Sequence, residues 1–231
     1  MGVIGIIIFE NVSKIYPPDS VALKDVSFEV EKGGFVSIVG KSGAGKTTLV
    51  KLLLREEEPS EGKIYFNDYN ILDIKTSCLP LYRQKIGAVF QDYRLLNNKT
   101  VYENVAYAME VMGGSDYEIE RDVPQLLKIV GLEDKFCNFP REISGGEKQR
   151  TAIARALAVR PDVIIADEPT GNLDPYHSKE IIDLLEKINE MGTTVILSTH
   201  DKEVINSLKR RVITLEDGAL VRDEQRGRFI L

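Results

Sequence analysis

Phe35-Val36-Ser37-Ile38-Val39-Gly40-Lys41-Ser42-Gly43-Ala44-Gly45-Lys46-Thr47-Thr48-Leu49 is the stretch whose reading decides the fold. Residues 35–39 carry no charge and read as a buried strand, the glycines at 40, 43 and 45 break it, and residues 48–54 suit a helix. Strand before and helix after is the context that a phosphate-binding loop requires. Glycines let successive N–H groups point at phosphate oxygens, and the helix N-terminus adds positive potential. Lys46 is then placed to reach the β- and γ-phosphates of a nucleotide, and Thr47 to ligate Mg2+. The candidate contacts are Gly40, Lys41, Ser42, Gly43, Ala44, Gly45, Lys46, Thr47 and Thr48.

Such a loop needs an acidic partner for the metal. Val163-Ile164-Ile165-Ala166 has no polar alternation and reads as a strand buried on both faces, the mark of a parallel sheet. It delivers Asp167 and Glu168 at its C-terminal end, where the ligands of open α/β sheets bind. Asp167 is read as the Mg2+ partner and Glu168 as the base for water. Ile181, Leu185 and Ile188 line an amphipathic helix closed by Gly192, and residues 193–199 return as a second buried strand. Strand, helix, strand in that order is the α/β pattern.

The first ninety residues are mainly strand, with runs at 6–12, 26–30 and 63–66 joined by turns. From Thr100 the period changes to a helical one. Val101, Val105, Ala108, Met109 and Met112 fall on one face, and Thr100 with Glu103 forms a capping box. The helical region continues over 117–130, where Pro124 is expected to open a second helix behind Asp122 rather than sit inside a continuous one. Ser144 and Glu147 make a second capping box, ahead of an almost wholly apolar helix at 151–159.

Composition narrows the partners. The 231 residues suit one large domain or a core with a lobe, and 43% apolar against 29% charged residues is ordinary globular usage. Thirty Lys and Arg against 36 Asp and Glu leave a net charge of −6, which argues against a nucleic-acid partner. Cys78 and Cys137 make neither a disulfide framework nor a metal spacing, so both are expected reduced in a cytosolic chain. The longest apolar run, residues 3–9, falls far short of the ~18 that span a bilayer, and no Lys or Arg precedes it. The expectation is a chain that neither crosses a membrane by itself nor is exported.

Ile143-Ser144-Gly145-Gly146-Glu147-Lys148-Gln149-Arg150 resembles the signature of ATP-binding cassette (ABC) ATPases, with Ile143 where Leu is usual. The resemblance extends over almost the whole chain. It implies a P-loop NTPase (RecA-like) core with an antiparallel β subdomain, residues 1–92 plus 162–231, and an inserted helical signature subdomain at 93–161. It also implies that Tyr16 stacks on adenine, that Gln91 senses Mg2+ and water, and that His200 contacts the γ-phosphate. Asp174, in Asn172-Leu173-Asp174, would belong to a loop crossing to a second protomer. Ser144, Gly145, Gly146 and Glu147 would close over the partner's ATP in a head-to-tail homodimer that sandwiches two nucleotides. His177 has no counterpart in the family and is expected at the surface.

Within the family, residues 166–174 resemble a subgroup that includes lipoprotein-release, peptide-efflux and cell-division ATPases. Phe90-Gln-Asp-Tyr-Arg-Leu-Leu96 followed by Thr100-Val-Tyr-Glu-Asn-Val-Ala106 looks like the cell-division branch, the FtsE type. That branch implies ATP hydrolysis coupled to an integral membrane subunit of FtsX type, at the cytoplasmic face of the cell membrane, with activation of cell-wall hydrolases. The lipoprotein-release or peptide-efflux branch is the alternative, with the same chemistry and another partner. Tyr93, Leu95 and Leu96, between Gln91 and the Thr100 box, are placed to carry closure of the nucleotide site to that partner. Departures from the pattern are few: Gly34, Lys148, Pro124 and an apolar start at residues 1–5.

Overall fold

A computed structural model describes residues 5–227, so most of the departure at residues 1–5 lies outside the described residues. In chain order, β1 (Gly5–Tyr16), β2 (Ser20–Glu31), β3 (Phe35–Val39), α1 (Lys46–Leu53), β4 (Glu61–Phe66), β5 (Tyr69–Asn70) and α2 (Leu79–Arg83) come first. They are followed by β6 (Ile86–Phe90), α3 (Val101–Val111), α4 (Asp116–Ile129), α5 (Gly145–Ala158), β7 (Val163–Asp167) and α6 (Pro175–Glu190). The chain closes with β8 (Thr194–Thr199), α7 (Lys202–Leu208), β9 (Arg211–Glu216) and β10 (Ala219–Glu224). Contacts divide it into two compact units, one running to Arg83 and resuming at Asn189, the other Gln84–Ile188. The second unit is wider than the helical stretch 93–161, because β6 pairs with β7 in parallel and α5 packs on β6.

In the first unit an antiparallel sheet has the order β2-β1-β4-β5. Its pattern is period-two: Val26, Phe28 and Val30 are buried while Ser27, Glu29 and Glu31 are exposed, so one face of β2 packs and the other meets water. Phe9 and Phe28 face each other across β1 and β2 with ring centroids 4.7 Å apart. Beside it, β3 runs parallel to both β8 and β9, and β10 returns antiparallel on β9. Every residue of β3 and β8 is buried, which is why neither alternates. The turn before β3 is fastened by Asn189, whose side-chain amide donates to the carbonyls of Gly33, Gly34 and Thr193.

The second unit is built around α5, whose Thr151 to Ala154 run is buried and which packs against α3, α4 and β6. Capping boxes stand at Thr100–Glu103 and Ser144–Glu147, as the sequence predicts, and a third at Ser115–Glu118 starts α4. That third box corrects the expectation for Pro124: α4 runs unbroken through it. Ile119, Val123 and Leu127 form one buried stripe on both sides of the proline, so packing holds the helix where a backbone hydrogen bond is missing. The inner face of α3 also differs in detail. Met112 is 36% exposed, and the buried Asn104 sits inside, donating to the carbonyls of Leu96, Lys99 and Thr100 and accepting from the Leu96 amide. Among the described residues, no helix is long and apolar enough to cross a membrane.

Candidate functional site

The phosphate loop hangs between β3 and α1. A Cβ at Gly40 would stand 2.5 Å from the Leu215 carbonyl, and one at Gly45 2.5 Å from that of Ala22, with Gly45 also at φ +102°. Both positions are closed to side chains. Gly43, at φ +84°, has nothing within 4 Å of its missing Cβ, so the loop is open on that side. Helix α1 starts on Gly45 with no side-chain cap and no acidic residue in its first turn, leaving its first amides for an anion. Lys46 is 7% exposed, and its Nζ donates to the carbonyls of Gly40 at 2.7 Å and Lys41 at 3.2 Å. Its ammonium is thus held within the loop, while Lys41, Ser42, Gly43 and Thr47 are exposed; Ala44 is buried and Thr48 half-buried. His200 follows β8, and the pairing of Val39 with Thr199 brings it to the same sheet end as Gly40. Tyr16 ends β1, half-buried, with Lys14 Nζ 4.9 Å from its ring centroid.

The acidic group lies in the second unit. Pairing of Phe90 with Asp167 puts Gln91 and Glu168 side by side at the strand ends. Asp167 is 8% exposed and its Oδ1 is buried without a hydrogen-bond partner. An orphaned carboxylate oxygen of this kind suits a cation. No group of three His, Cys, Asp or Glu side chains is gathered among the described residues, so the donor set fits Mg2+ held largely by hydroxyl, phosphate and water oxygens rather than a caged metal. Glu168 is held at φ +50°, a conformation that non-glycine residues rarely adopt and that clusters at functional sites. Gln91 Nε2 donates to Asn172 Oδ1 at 3.2 Å, and Asn172 Nδ2 returns a bond to the Gln91 carbonyl at 3.1 Å.

At the signature turn, Ser144 Oγ accepts from the Glu147 amide and Glu147 Oε2 accepts from the Ser144 amide. That second bond, more than the Lys135 ammonium at 3.5 Å, holds the Glu147 carboxyl below its usual range. The glycines are covered by side chains. A Cβ at Gly145 would stand 3.1 Å from Leu173 Cδ2 and from the Tyr93 hydroxyl, and one at Gly146 2.7 Å from His177 Cδ2. His177 is therefore more than a surface residue: its ring lies over Gly146, and its Nδ1 is 2.5 Å from Asp174 Oδ2. Asp174 Oδ1 accepts from the amides of Tyr176 and His177. The His177 ring bond leads the causes that keep the Asp174 carboxyl low.

The structure thus gathers Gly40, Lys46, Thr47 and His200 in one unit and Gln91, Asp167, Glu168, Asp174 and the signature turn in the other. Sequence reasoning missed Arg155, the bonds between Asn172 and Gln91, and the contacts of His177 with Asp174 and Gly146. Arg155 donates to the carbonyls of Arg94 at 2.5 Å and Tyr93 at 3.1 Å, fastening two consecutive residues at φ +47° and +62°. Leu95 and Leu96, beyond them, are half-buried. The one available signal for Arg155 was a single charge within the otherwise apolar run 151–159.

The family described as ABC transporter matches residues 23–171. The chain belongs to the ABC transporter family. As an ABC ATPase it is 50% identical over 224 residues, 97% of each chain, to the cell division ATP-binding protein FtsE of Streptococcus pneumoniae serotype 2 (strain D39 / NCTC 7466). It is 49% identical over 220 residues, 95% of this chain and 96% of the other, to FtsE of Bacillus subtilis (strain 168). A dimeric structure of the ATP-binding cassette MJ0796, in a post-hydrolysis state bound to ADP and Pi, superposes with a TM-score of 0.86 at 38% identity, covering 96% of this chain and all of that one. The α/β fold and the ATPase activity expected from the sequence are those of this family.

Proposed function

We propose that the chain is the FtsE-type, Mg2+-dependent ATPase of a cell-division complex, peripheral on the cytoplasmic face of the membrane. It would pair head-to-tail with a second copy around ATP, drive a membrane subunit of FtsX type, and so activate cell-wall hydrolases. What carries this reading is the identity of 49–50% to FtsE proteins over nearly the full length. Lys46, Thr47 and the loop amides hold the phosphates, Tyr16 the adenine. Asp167, with its unpaired buried oxygen, Thr47 and Gln91 would hold Mg2+, which when bound neutralises charge on the β- and γ-phosphate oxygens. Glu168 takes a proton from water as it attacks, and His200 contacts the γ-phosphate. Ser144, Gly145, Gly146, Glu147 and Asp174 meet the second copy.

The test is Glu168→Gln. An amide cannot accept the proton, so turnover falls about 100- to 1,000-fold while Mg-ATP stays bound and dimers accumulate in light scattering. Wild-type turnover removes Glu168 from this role. Stimulation of the wild-type ATPase by a reconstituted FtsX-type subunit, and not by a lipoprotein-release subunit, decides the branch.

A further inference from the structure

His177 lies where two elements of the hydrolysis machinery meet, and nothing in the family pattern accounts for it. Its ring makes two separate contacts. The Cδ2 edge fills the space over Gly146, and Nδ1 meets Asp174 Oδ2. An ionised carboxylate only accepts, so Nδ1 carries the proton. Asp174 closes the loop that begins at Gly171. In that loop Asn172 exchanges two hydrogen bonds with Gln91, and Leu173 packs on Gly145. Two charged neighbours on these helices have partners of their own: Glu147 pairs with Lys135 and the Ser144 amide, and Arg150 with Glu180 across α5 and α6. The second oxygen of Asp174 takes its bond from the imidazole. Without that bond, the carboxylate keeps the two backbone amides that cap the start of α6, and the loop behind it keeps Leu173 on Gly145 but loses its link through the imidazole to Gly146.

We propose that His177 is a positioning residue for ATP hydrolysis: by donating to Asp174 from above Gly146, it sets the loop that holds Gln91 against the first turn of the signature helix. It touches neither phosphate nor water and acts through Asn172 and Gln91. The inference rests on the role proposed above for Gln91.

Three variants separate the contacts. His177→Ala removes both; His177→Asn restores an N–H donor near the position of Nδ1; His177→Phe covers Gly146 and cannot donate. In steady-state ATPase assays, Ala and Phe lower kcat about tenfold with KM changed less than twofold, since a small misplacement of reacting groups costs turnover before it costs affinity. Asn recovers most of kcat. Binding of a fluorescent ATP analogue and thermal unfolding are measured on the same preparations, and a folded Asn and Phe pair suffices if the Ala variant does not fold. Any other pattern overturns the proposal: unchanged kcat in Ala and Phe, recovery by Phe alone, or equal loss in all three. Gln91→Ala is the control for the underlying reading. If it leaves kcat unchanged the fault lies with the role given to Gln91, whereas a fall in Gln91→Ala beside unaffected His177 variants rejects His177 alone.

Discussion

The phosphate loop and the signature turn are both glycine-rich helix starts, and they use glycine for opposite reasons. At α1 the N-cap is Gly45 itself, left-handed and without a side-chain cap, and Gly43 faces open space. At α5 the N-cap is Ser144 within a full capping box, and side chains of Tyr93, Leu173 and His177 press close to where Cβ atoms on Gly145 and Gly146 would be. One set of glycines is demanded by backbone geometry and leaves the loop open at Gly43. The other makes room for neighbours that brace the turn. The same residue type thus marks an open loop in one unit and a packed joint in the other.

The sharpest break of that comparison is Gly45→Ala. A Cβ there meets the Ala22 carbonyl at 2.5 Å and Leu23 Cδ2 at 2.7 Å, on a backbone at φ +102°. Left-handed backbone costs an alanine about 1–2 kcal/mol, and a clash with fixed backbone adds to it, for a total of about 3 kcal/mol or more. Thermal or urea unfolding should show that loss, and a variant as stable as wild type would mean that the loop relaxes freely.

Gly146→Ala has a smaller effect and a remedy. Gly146 is helical, and the atom in the way, 2.7 Å from a Cβ, belongs to the His177 side chain. Overpacking of this kind costs about 1–3 kcal/mol. Because the obstacle is a side chain, His177→Ala in the same molecule should recover most of the stability lost to Gly146→Ala, a coupling readable in a double-mutant cycle. No companion change at Ala22 could rescue Gly45→Ala, since its obstacle is backbone. Additive losses at 146 and 177 would deny that the ring packs on the glycine.

What was legible in the sequence divides along the same line. Strand, loop and helix at 35–54 are written in neighbouring residues, as are the capping boxes at Thr100 and Ser144, because the groups that satisfy one another lie within a turn of chain. The buried strand that presents Asp167 and Glu168 was legible for the same reason. Pro124 was misread because its helix is held by Ile119, Val123 and Leu127 packing inward on both sides, which local propensity does not record. The packing of His177 was not legible because Gly146, which its ring covers, is distant in sequence. The left-handed pair Tyr93-Arg94 was invisible until Arg155 was seen to hold its carbonyls.

The mildest probe is acid. Only the signature turn carries a carboxylate at its start; the first turn of α1 has none. Glu147 is held below the ordinary 4.5, chiefly by the Ser144 amide it accepts from. A carboxyl whose folded value is depressed stabilises the fold fully above its unfolded value and loses that contribution as pH falls through the lower folded one. The capping box is therefore expected to be intact from neutrality down to about pH 4.5 and to open below it. In an NMR titration, the Ser144 amide proton should shift with a midpoint below 4.5, and in Glu147→Gln, which keeps an acceptor oxygen without a titrating proton, that step should vanish. A midpoint at or above 4.5 would mean that the free carboxylate gains nothing from the box, leaving the brace to Tyr93, Leu173 and His177 alone.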